Sequence, residues 1–144
     1  MTDSHILIIG GTGFIGKYLS KSLKAHGFKN ILAISRKEQL ADVSSKKSIE
    51  PFIAKADFVI NMAGLVSFSK KNPKKLLDIN NQGALNVLYL CEKYPNVKKL
   101  IHISSTASFG FNEQAVSEET FFDWKNHKHL GYSYSKFLPN KQIN

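Results

Sequence analysis

Apolar and polar positions along this chain fall into blocks that predict strand, helix, strand, helix and strand in turn. The run HILIIG at 5–10 has almost no polar face, as in a parallel strand covered on both sides, and it ends in glycines. Phe14, Ile15, Leu19 and Leu23 then recur at helical spacing until Gly27, which suits a helix stop. NILAIS at 30–35 reads as a second strand, residues 48–56 as a short helix, and DFVINMAG at 57–64 as another buried strand ending in a small residue and a glycine. Pro73 fits the first turn of a helix, and Leu76, Leu77, Gly83, Ala84, Val87, Leu88 and Cys91 carry that helix to Pro95, which closes it. KKLIHISS at 98–105 is the next strand, and the last helix starts near Tyr132. Such alternation is the signature of a parallel α/β sheet with crossover helices. With no repeat, low-complexity tract or Gly/Ser linker, the chain reads as one unit over 1–144.

The segment Gly10-Gly11-Thr12-Gly13-Phe14-Ile15-Gly16 follows the first strand and opens the first helix, the context that a dinucleotide-binding loop requires. One glycine makes the tight turn, Gly13 lets backbone approach a pyrophosphate, Gly16 lets the helix pack close, and the helix N-terminus faces the anion. Past the second strand, where an acidic residue would accept from the ribose hydroxyls of NAD, stand Ser35-Arg36-Lys37. A cation there pairs with a 2′-phosphate, so Arg36 favours NADP over NAD.

Tyr132 and Lys136 form a Y-x-x-x-K pair, which on a helix puts both side chains on one face a turn apart. The ammonium favours the phenolate, so that the tyrosine can exchange a proton with a substrate oxygen near neutral pH. Tyr89 with Lys93 and Tyr94 with Lys98 match the same pattern. Position separates them: active sites of parallel sheets lie beyond the carboxyl ends of the strands, whereas Tyr89 and Tyr94 sit late in a helix running back toward the amino ends. Tyr132 follows Ser104-Ser105-Thr106 at the carboxyl end of the last strand.

Composition alters this picture little. The chain has 144 residues with 42% hydrophobic, enough for an ordinary core, and no apolar run approaches a membrane span. The start lacks the features of a secretory signal and Cys91 is the single cysteine, so the expectation is a cytoplasmic protein in a reducing compartment. A net charge of +9 raises nucleic acid as a partner, but among 20 Lys and Arg residues only Arg36 is arginine and the lysine pairs are dispersed. A solvated lysine-rich surface, with neither nucleic acid nor membrane as partner, accounts for it. His102, in the middle of a strand, reads as a packed, hydrogen-bonded core residue. His127 and His129 lack a Cys or carboxylate at metal-ligand spacing and read as a solvated loop, so no metal is expected. Cys91 reads as core.

The ordered motifs GGTGFIG, DFVINMAGLVSFS, INNQGALNVL, IHISSTASFG and YSYSK resemble the extended short-chain dehydrogenase/reductases, the NAD(P)-dependent epimerase/dehydratase group. The stretches AGLVSFS and VSEETFFDWKN are most similar to its dihydroflavonol-reductase-like branch. The resemblance covers almost the whole chain. It implies a Rossmann-type, doubly wound parallel sheet forming a single NAD(P)-binding domain over 1–144. The family's serine lies five residues before the glycine of S-S-x-x-x-[YF]-G, which is Ser105 counted back from Gly110, with Thr106 as the alternative. Ser105 would hydrogen-bond the substrate oxygen, Tyr132 would be the acid/base, and Lys136 would lower its pKa and hold the nicotinamide ribose. Gly10, Thr12, Gly13, Phe14, Ile15 and Gly16 would form the cofactor loop, Ala63 and Gly64 would lie against the cofactor, and Asp42-Val43 resembles the pair that meets the adenine. Asn80 opens the family's N-x-x-G stretch, in a supporting or a purely structural role.

The chain departs from the family at two places. Five residues separate Arg36 from Asp42, where the family has a helix and most of a third strand. Either a poor edge strand survives near Gln39 to Val43, or the sheet stops at the second strand. The sequence also ends eight residues after Lys136, without the family's substrate domain. The expectation is an uncovered edge on the strand at 98–104, unpartnered apolar faces of Tyr132, Phe137 and Leu138, and a marginal, truncated protein that self-associates or takes a second polypeptide. These readings imply an NADP-dependent oxidoreductase domain that transfers hydride between NADPH and a carbonyl or hydroxyl substrate, incomplete as a catalyst. The alternatives are a fragment of an NAD-dependent nucleotide-sugar epimerase/dehydratase and a non-catalytic dinucleotide-binding protein.

Overall fold

The computed structural model describes residues 2–39, 41–67, 72–113, 115–117 and 119–143, and only the backbone of Gln39. Phe68 and Ser69 of AGLVSFS, Leu40 of the proposed edge strand and Glu118 of VSEETFFDWKN lie outside these residues. Strands β1 (His5–Ile9), β2 (Asn30–Ile34), β3 (Phe58–Asn61) and β4 (Lys99–His102) form one sheet in the order β2-β1-β3-β4. All three pairings are parallel, with Ile8 opposite Ala33 and Ile60, and Asn61 opposite His102.

Successive side chains of a strand point to opposite faces, so a strand covered on both sides needs apolar residues at every position. Strand β1 does this. Ile6 and Ile8 join Ile60 on one face, where Leu19 and Leu23 of helix α1 (Phe14–Ala25) pack. Leu7 and Ile9 face the opposite layer, built on Ile34 and Val59, on Ile49 and Ile53 of α3 (Lys46–Ile53), and on Val87, Leu90 and Cys91 of α5 (Gly83–Lys93). Full burial of each such aliphatic side chain contributes about 1.5–3 kcal/mol, which makes β1 the densest contributor to the core. Cys91 is core, as expected, and burial pushes its thiol up to about 12.

Several expectations are corrected. Phe14 and Ile15 do not belong to the apolar stripe of α1: they are 79% and 62% exposed, because the first turn of α1 projects past the carboxyl ends of the strands and only Leu19 and Leu23 reach the sheet. The helix predicted from Pro73 is not continuous. A single α turn, α4 (Pro73–Leu76), passes into a π-helical turn at Leu77–Gln82 before α5 begins. The wider turn carries the buried Asn80, whose side chain bonds the loop after β3 and a serine of the last helix.

Of the two alternatives after Arg36, the structure selects the second. A single turn, α2 (Arg36–Gln39), follows β2, and no described strand lies beyond β2. The chain is drawn across to α5 instead: Asn86 Nδ2 donates to the Val43 carbonyl at 2.8 Å, and the Val43 side chain fills the space where a Cβ on Gly83 would lie 2.5 Å from its Cγ2. A residue held in that way cannot extend the edge of β2.

Strand β4 has one described neighbour, and Ile101 and Ile103 are exposed, in line with the expected open edge. The apolar face of the last helix, α6 (Gly131–Ile143), is partnered, contrary to expectation. Phe137 stacks on Trp124 at 5.0 Å between ring centroids, and Tyr132 and Leu138 are half-buried. His127 is likewise not a solvated loop residue: its ring lies 4.9 Å from Phe122 and its Nδ1 is 2.7 Å from the Asp123 carbonyl, while His129 is exposed. The aromatic residues of 122–124 build this cover, because Trp124 buries its ring area between loop and helix. Among the described residues no helix is long and apolar enough to cross a membrane, and no group of three or more His, Cys, Asp or Glu could hold a metal.

At the amino end of the sheet Asp57 accepts the His5 amide at 2.8 Å and pairs with Lys98 at 2.8 Å. The Lys98 and His5 bonds outweigh the effect of burial and hold its carboxyl down to about 2, from an ordinary 3.8. A depressed carboxyl stabilises the fold above its unfolded pKa and loses that contribution as pH falls through the folded value. Thermal melts between pH 5 and pH 2 are expected to show a steeper loss for the parent protein than for Asp57→Asn, with the two curves converging toward about pH 2. Parallel curves through that window would contradict the pairing.

Candidate active site

The loop after β1 turns at Gly10, whose φ of +82° falls in the left-handed region and whose Cβ, if present, would lie 2.9 Å from the Ala63 nitrogen. Only glycine satisfies both constraints. The Gly10 and Gly11 amides donate to the Ile34 carbonyl at 2.8 and 3.1 Å, so the loop is anchored to the end of β2. Gly16 packs against Gly11, where an added Cβ would meet backbone atoms at 2.5 Å; helix and loop, rather than helix and strand, make the close contact.

Gly13 is the N-cap of α1 and supplies no side chain to its free amides, and the first turn holds no acidic residue. Space opens on its exposed side: a Cβ there would meet only the Gly10 carbonyl, at 3.3 Å. An uncapped helix start with unopposed N–H groups fits an anionic pyrophosphate. Thr12 is half-buried in the loop, and Phe14 and Ile15 stand exposed at the same helix start.

Arg36 is exposed at the start of α2. Its charge reaches Asp42, where burial pushes the carboxyl up but the Ser44 hydroxyl and amide, with Arg36 and Lys75, bring it below its ordinary range. Asp42 Oδ1 accepts those Ser44 bonds at 2.7 and 2.9 Å. Of the pair compared with an adenine contact, Asp42 is thus half-exposed and anchored, while Val43 is core.

The loop after β3 and the last helix meet around Gly64. Lys136 is buried, and its Nζ donates to the Ile103 carbonyl at 2.9 Å and lies 3.9 Å from the position of a Cβ on Gly64. Burial lowers the pKa of its ammonium. Beside it, Asn80 Oδ1 accepts the Leu65 amide at 2.7 Å, and Nδ2 donates to the Leu65 carbonyl and to Ser135 Oγ, both at 2.9 Å. For Asn80 the structure therefore shows a bridge between loop and helix. Ser135 in turn donates to the Tyr132 carbonyl at 2.7 Å, fixing the first turn of α6.

Ser105 follows β4 and caps the short 3₁₀ turn Thr106–Phe109, its Oγ accepting the Ala107 amide at 3.2 Å. An oxygen that accepts there keeps its own hydrogen to donate. Ser105 and Thr106 line a cleft of about 980 Å³ beside β4, walled by Phe122, Trp124 and Phe137, whereas Tyr132 and Lys136 do not line it. The two rival tyrosines serve the fold. Tyr94 donates to Glu50 at 2.8 Å, and that carboxylate pushes its phenol pKa up, the wrong direction for a base. Tyr89 lies under Lys46, 4.2 Å from ring centroid to Nζ, and Lys93 and Lys98 are paired to Glu50 and Asp57.

The residues missed in sequence are Asn61, Ser135 and the network role of His102. Asn61 is buried, with Oδ1 accepting the Ala63 amide at 3.1 Å and Nδ2 3.2 Å from His102 Nδ1. A polar residue closing the apolar strand FVIN was the available signal; Ser135 carried none. His102 is hydrogen-bonded as expected, but only at Nδ1. Its Nε2 and the Ser104 hydroxyl are buried without a hydrogen-bond partner among the described residues.

The profile of the NAD dependent epimerase/dehydratase family matches residues 6–143. An anthocyanidin reductase of Arabidopsis thaliana is 26% identical over 93% of this chain and 48% of its own length. A bifunctional UDP-glucose 4-epimerase and UDP-xylose 4-epimerase of Pisum sativum is 29% identical over 83% of this chain and 42% of its own. The chain thus spans about half the length of these curated relatives. Among solved structures, a short-chain dehydrogenase/reductase superfamily protein from Agrobacterium tumefaciens with bound NAD superposes with a TM-score of 0.80 at 15% identity, over 95% of this chain and 43% of that one. That likeness establishes the Rossmann fold, and the profile match, spanning nearly every residue from β1 to α6, establishes that this chain belongs to the NAD dependent epimerase/dehydratase family.

Proposed function

We propose that this chain is a single cofactor-binding domain of an NADPH-dependent oxidoreductase acting on a small carbonyl or hydroxyl compound. The observation that carries the reading is the placement of Lys136, a buried ammonium held by the Ile103 carbonyl beside Gly64 and one helical turn from Tyr132. A cation costs several kcal/mol to bury, and here it sits where the carboxyl ends of β3 and β4 meet α6, on the side of the sheet that parallel α/β enzymes use.

The nicotinamide supplies the hydride when bound. The chain's own residues do the rest. The uncapped start of α1 and the backbone around Gly13 take the pyrophosphate, and Ala63 and Gly64 offer a flat backbone surface between the glycine loop and Lys136. The Tyr132 hydroxyl gives its proton to the substrate oxygen as that oxygen gains electron density, and Lys136 stabilises the phenolate left behind. The Ser105 hydroxyl donates to the same oxygen, favouring its charged form over the neutral carbonyl. Arg36, exposed beyond β2, pairs with the 2′-phosphate that distinguishes NADPH from NADH.

Titration of the purified chain with the two reduced cofactors tests the first half. NADPH is expected to bind at least about tenfold more tightly than NADH, and Arg36→Asp to erase that preference, since one charge-assisted bond is worth about 1.5–3 kcal/mol. Equal affinities in the parent protein would remove Arg36 from the site.

Kinetics test the second half. With a carbonyl substrate that supports NADPH oxidation, Tyr132→Phe is expected to reduce kcat by a factor on the order of 10²–10⁴ while leaving NADPH affinity within about twofold. Tyr89→Phe is expected to leave both unchanged. A comparable loss from the two substitutions would refute the choice of Tyr132.

A further inference from the structure

Around Gly64 the described hydrogen bonds close into a ring. The Ala63 amide donates to Asn61 Oδ1, and Asn61 Nδ2 meets His102 Nδ1 across the β3–β4 pairing. The next residue, Ile103, accepts Lys136 Nζ; Ser135, beside Lys136, accepts Asn80 Nδ2; and Asn80 holds both backbone groups of Leu65. Gly64, between Ala63 and Leu65, completes the circuit. Because Asn61 Oδ1 is committed to the Ala63 amide, its Nδ2 must face His102, and an NH₂ group can only donate. His102 Nδ1 is therefore the acceptor, which requires a neutral imidazole carrying its proton on Nε2. Burial, with the Lys136 charge second, pushes His102 down to about 4, in agreement with a neutral ring.

Nε2, which then carries the proton, has no hydrogen-bond partner among the described residues, and His102 lines the cleft beside β4. A leucine there would leave the Asn61 Nδ2 group, on a side chain only 2% exposed, without its acceptor, so the histidine is what holds the Asn61 amide in place. We infer that Asn61 and His102 are positioning residues: a cross-strand latch, closed only by the Nε2–H tautomer, that sets the distance between the Ala63–Gly64 backbone and the Lys136 ammonium. This rests on the proposal that Lys136 and the loop at Gly64 face a dinucleotide. The latch moves no proton in the reaction. It holds the Asn61 amide and, through the adjacent Ile103 carbonyl, the lysine.

The test combines spectroscopy with a rescue. In the parent protein labelled with ¹⁵N-histidine at neutral pH, the His102 ring is expected to show a protonated Nε2 and a bare Nδ1. Asn61→Asp, which replaces the donor by an acceptor, is expected to move the proton to Nδ1. His102→Leu is expected to shift the Lys136 Nζ resonance and to weaken NADPH binding about three- to tenfold, the scale of one hydrogen bond. His102→Asn, whose Oδ1 can stand where Nδ1 stood, is expected to restore binding to within about twofold. A proton found on Nδ1 in the parent protein overturns the latch even if every variant fails to fold, and so does His102→Leu with an unchanged Lys136 signal. Should the parent protein bind neither cofactor, the proposed function falls, while the tautomer and the Nζ resonance still decide the latch.

Discussion

The strands of this sheet are all parallel, and most of the architecture follows from that constraint. Parallel neighbours cannot be joined by a tight turn; each needs a crossover, and right-handed crossovers place helices over both faces. Strand β1 must then be apolar at successive positions, as Ile6, Leu7, Ile8 and Ile9 are. The same constraint sends the loops after β1, β3 and β4 out from the carboxyl end of the sheet. The glycine loop, the Ala63–Gly64 segment and Ser105 come from stretches far apart in the chain and share a neighbourhood for this reason.

Within that neighbourhood the fold relies on backbone contact more than on side-chain packing. Gly10 brings the first loop within van der Waals reach of Ala63, and Gly16 brings helix α1 onto Gly11. Buried polar side chains then replace the regular pairing that ends with the strands: Asn61 takes over from β3, Asn80 from the helix after it, and Lys136 bonds the carbonyl just past β4. Each bond satisfies a backbone group that would otherwise be left unmet beside the core, a situation that costs about 1–3 kcal/mol per group. Polar residues are thus concentrated at the carboxyl end of the sheet, whereas the ion pairs of Glu50 and Asp57 hold elements at its amino end and near the protein surface.

The cleft beside β4 combines an open strand edge with an aromatic wall. Trp124, buried against Phe137, comes from the segment that precedes α6 and turns a face expected to be bare into a packed one. Ser105 and His102 line the cleft from the strand side. Its floor and the candidate proton-transfer helix are therefore parts of one packed layer.

Much of this was legible in the residues. Runs without a polar face announced parallel strands, and the spacing of glycines announced the turn and its helix; Tyr89 and Tyr94, set late in their helix by chain order, are tied by the structure to Lys46 and Glu50. Such features are local or depend only on chain order, and local sterics and period determine them. What only the tertiary structure decided are the matters of which groups meet. Phe14 and Ile15 match a helical stripe as well as Leu19 and Leu23 do, yet the length of the strands leaves them beyond the sheet. Val43 could have extended an edge strand, and the gap over Gly83 took it into the core. Asn61 and His102 lie 41 positions apart, and only the register of β3 against β4 sets them side by side. Periodicity carries no information about partners so distant in the chain, because the energy of such a pair exists only once the sheet has formed.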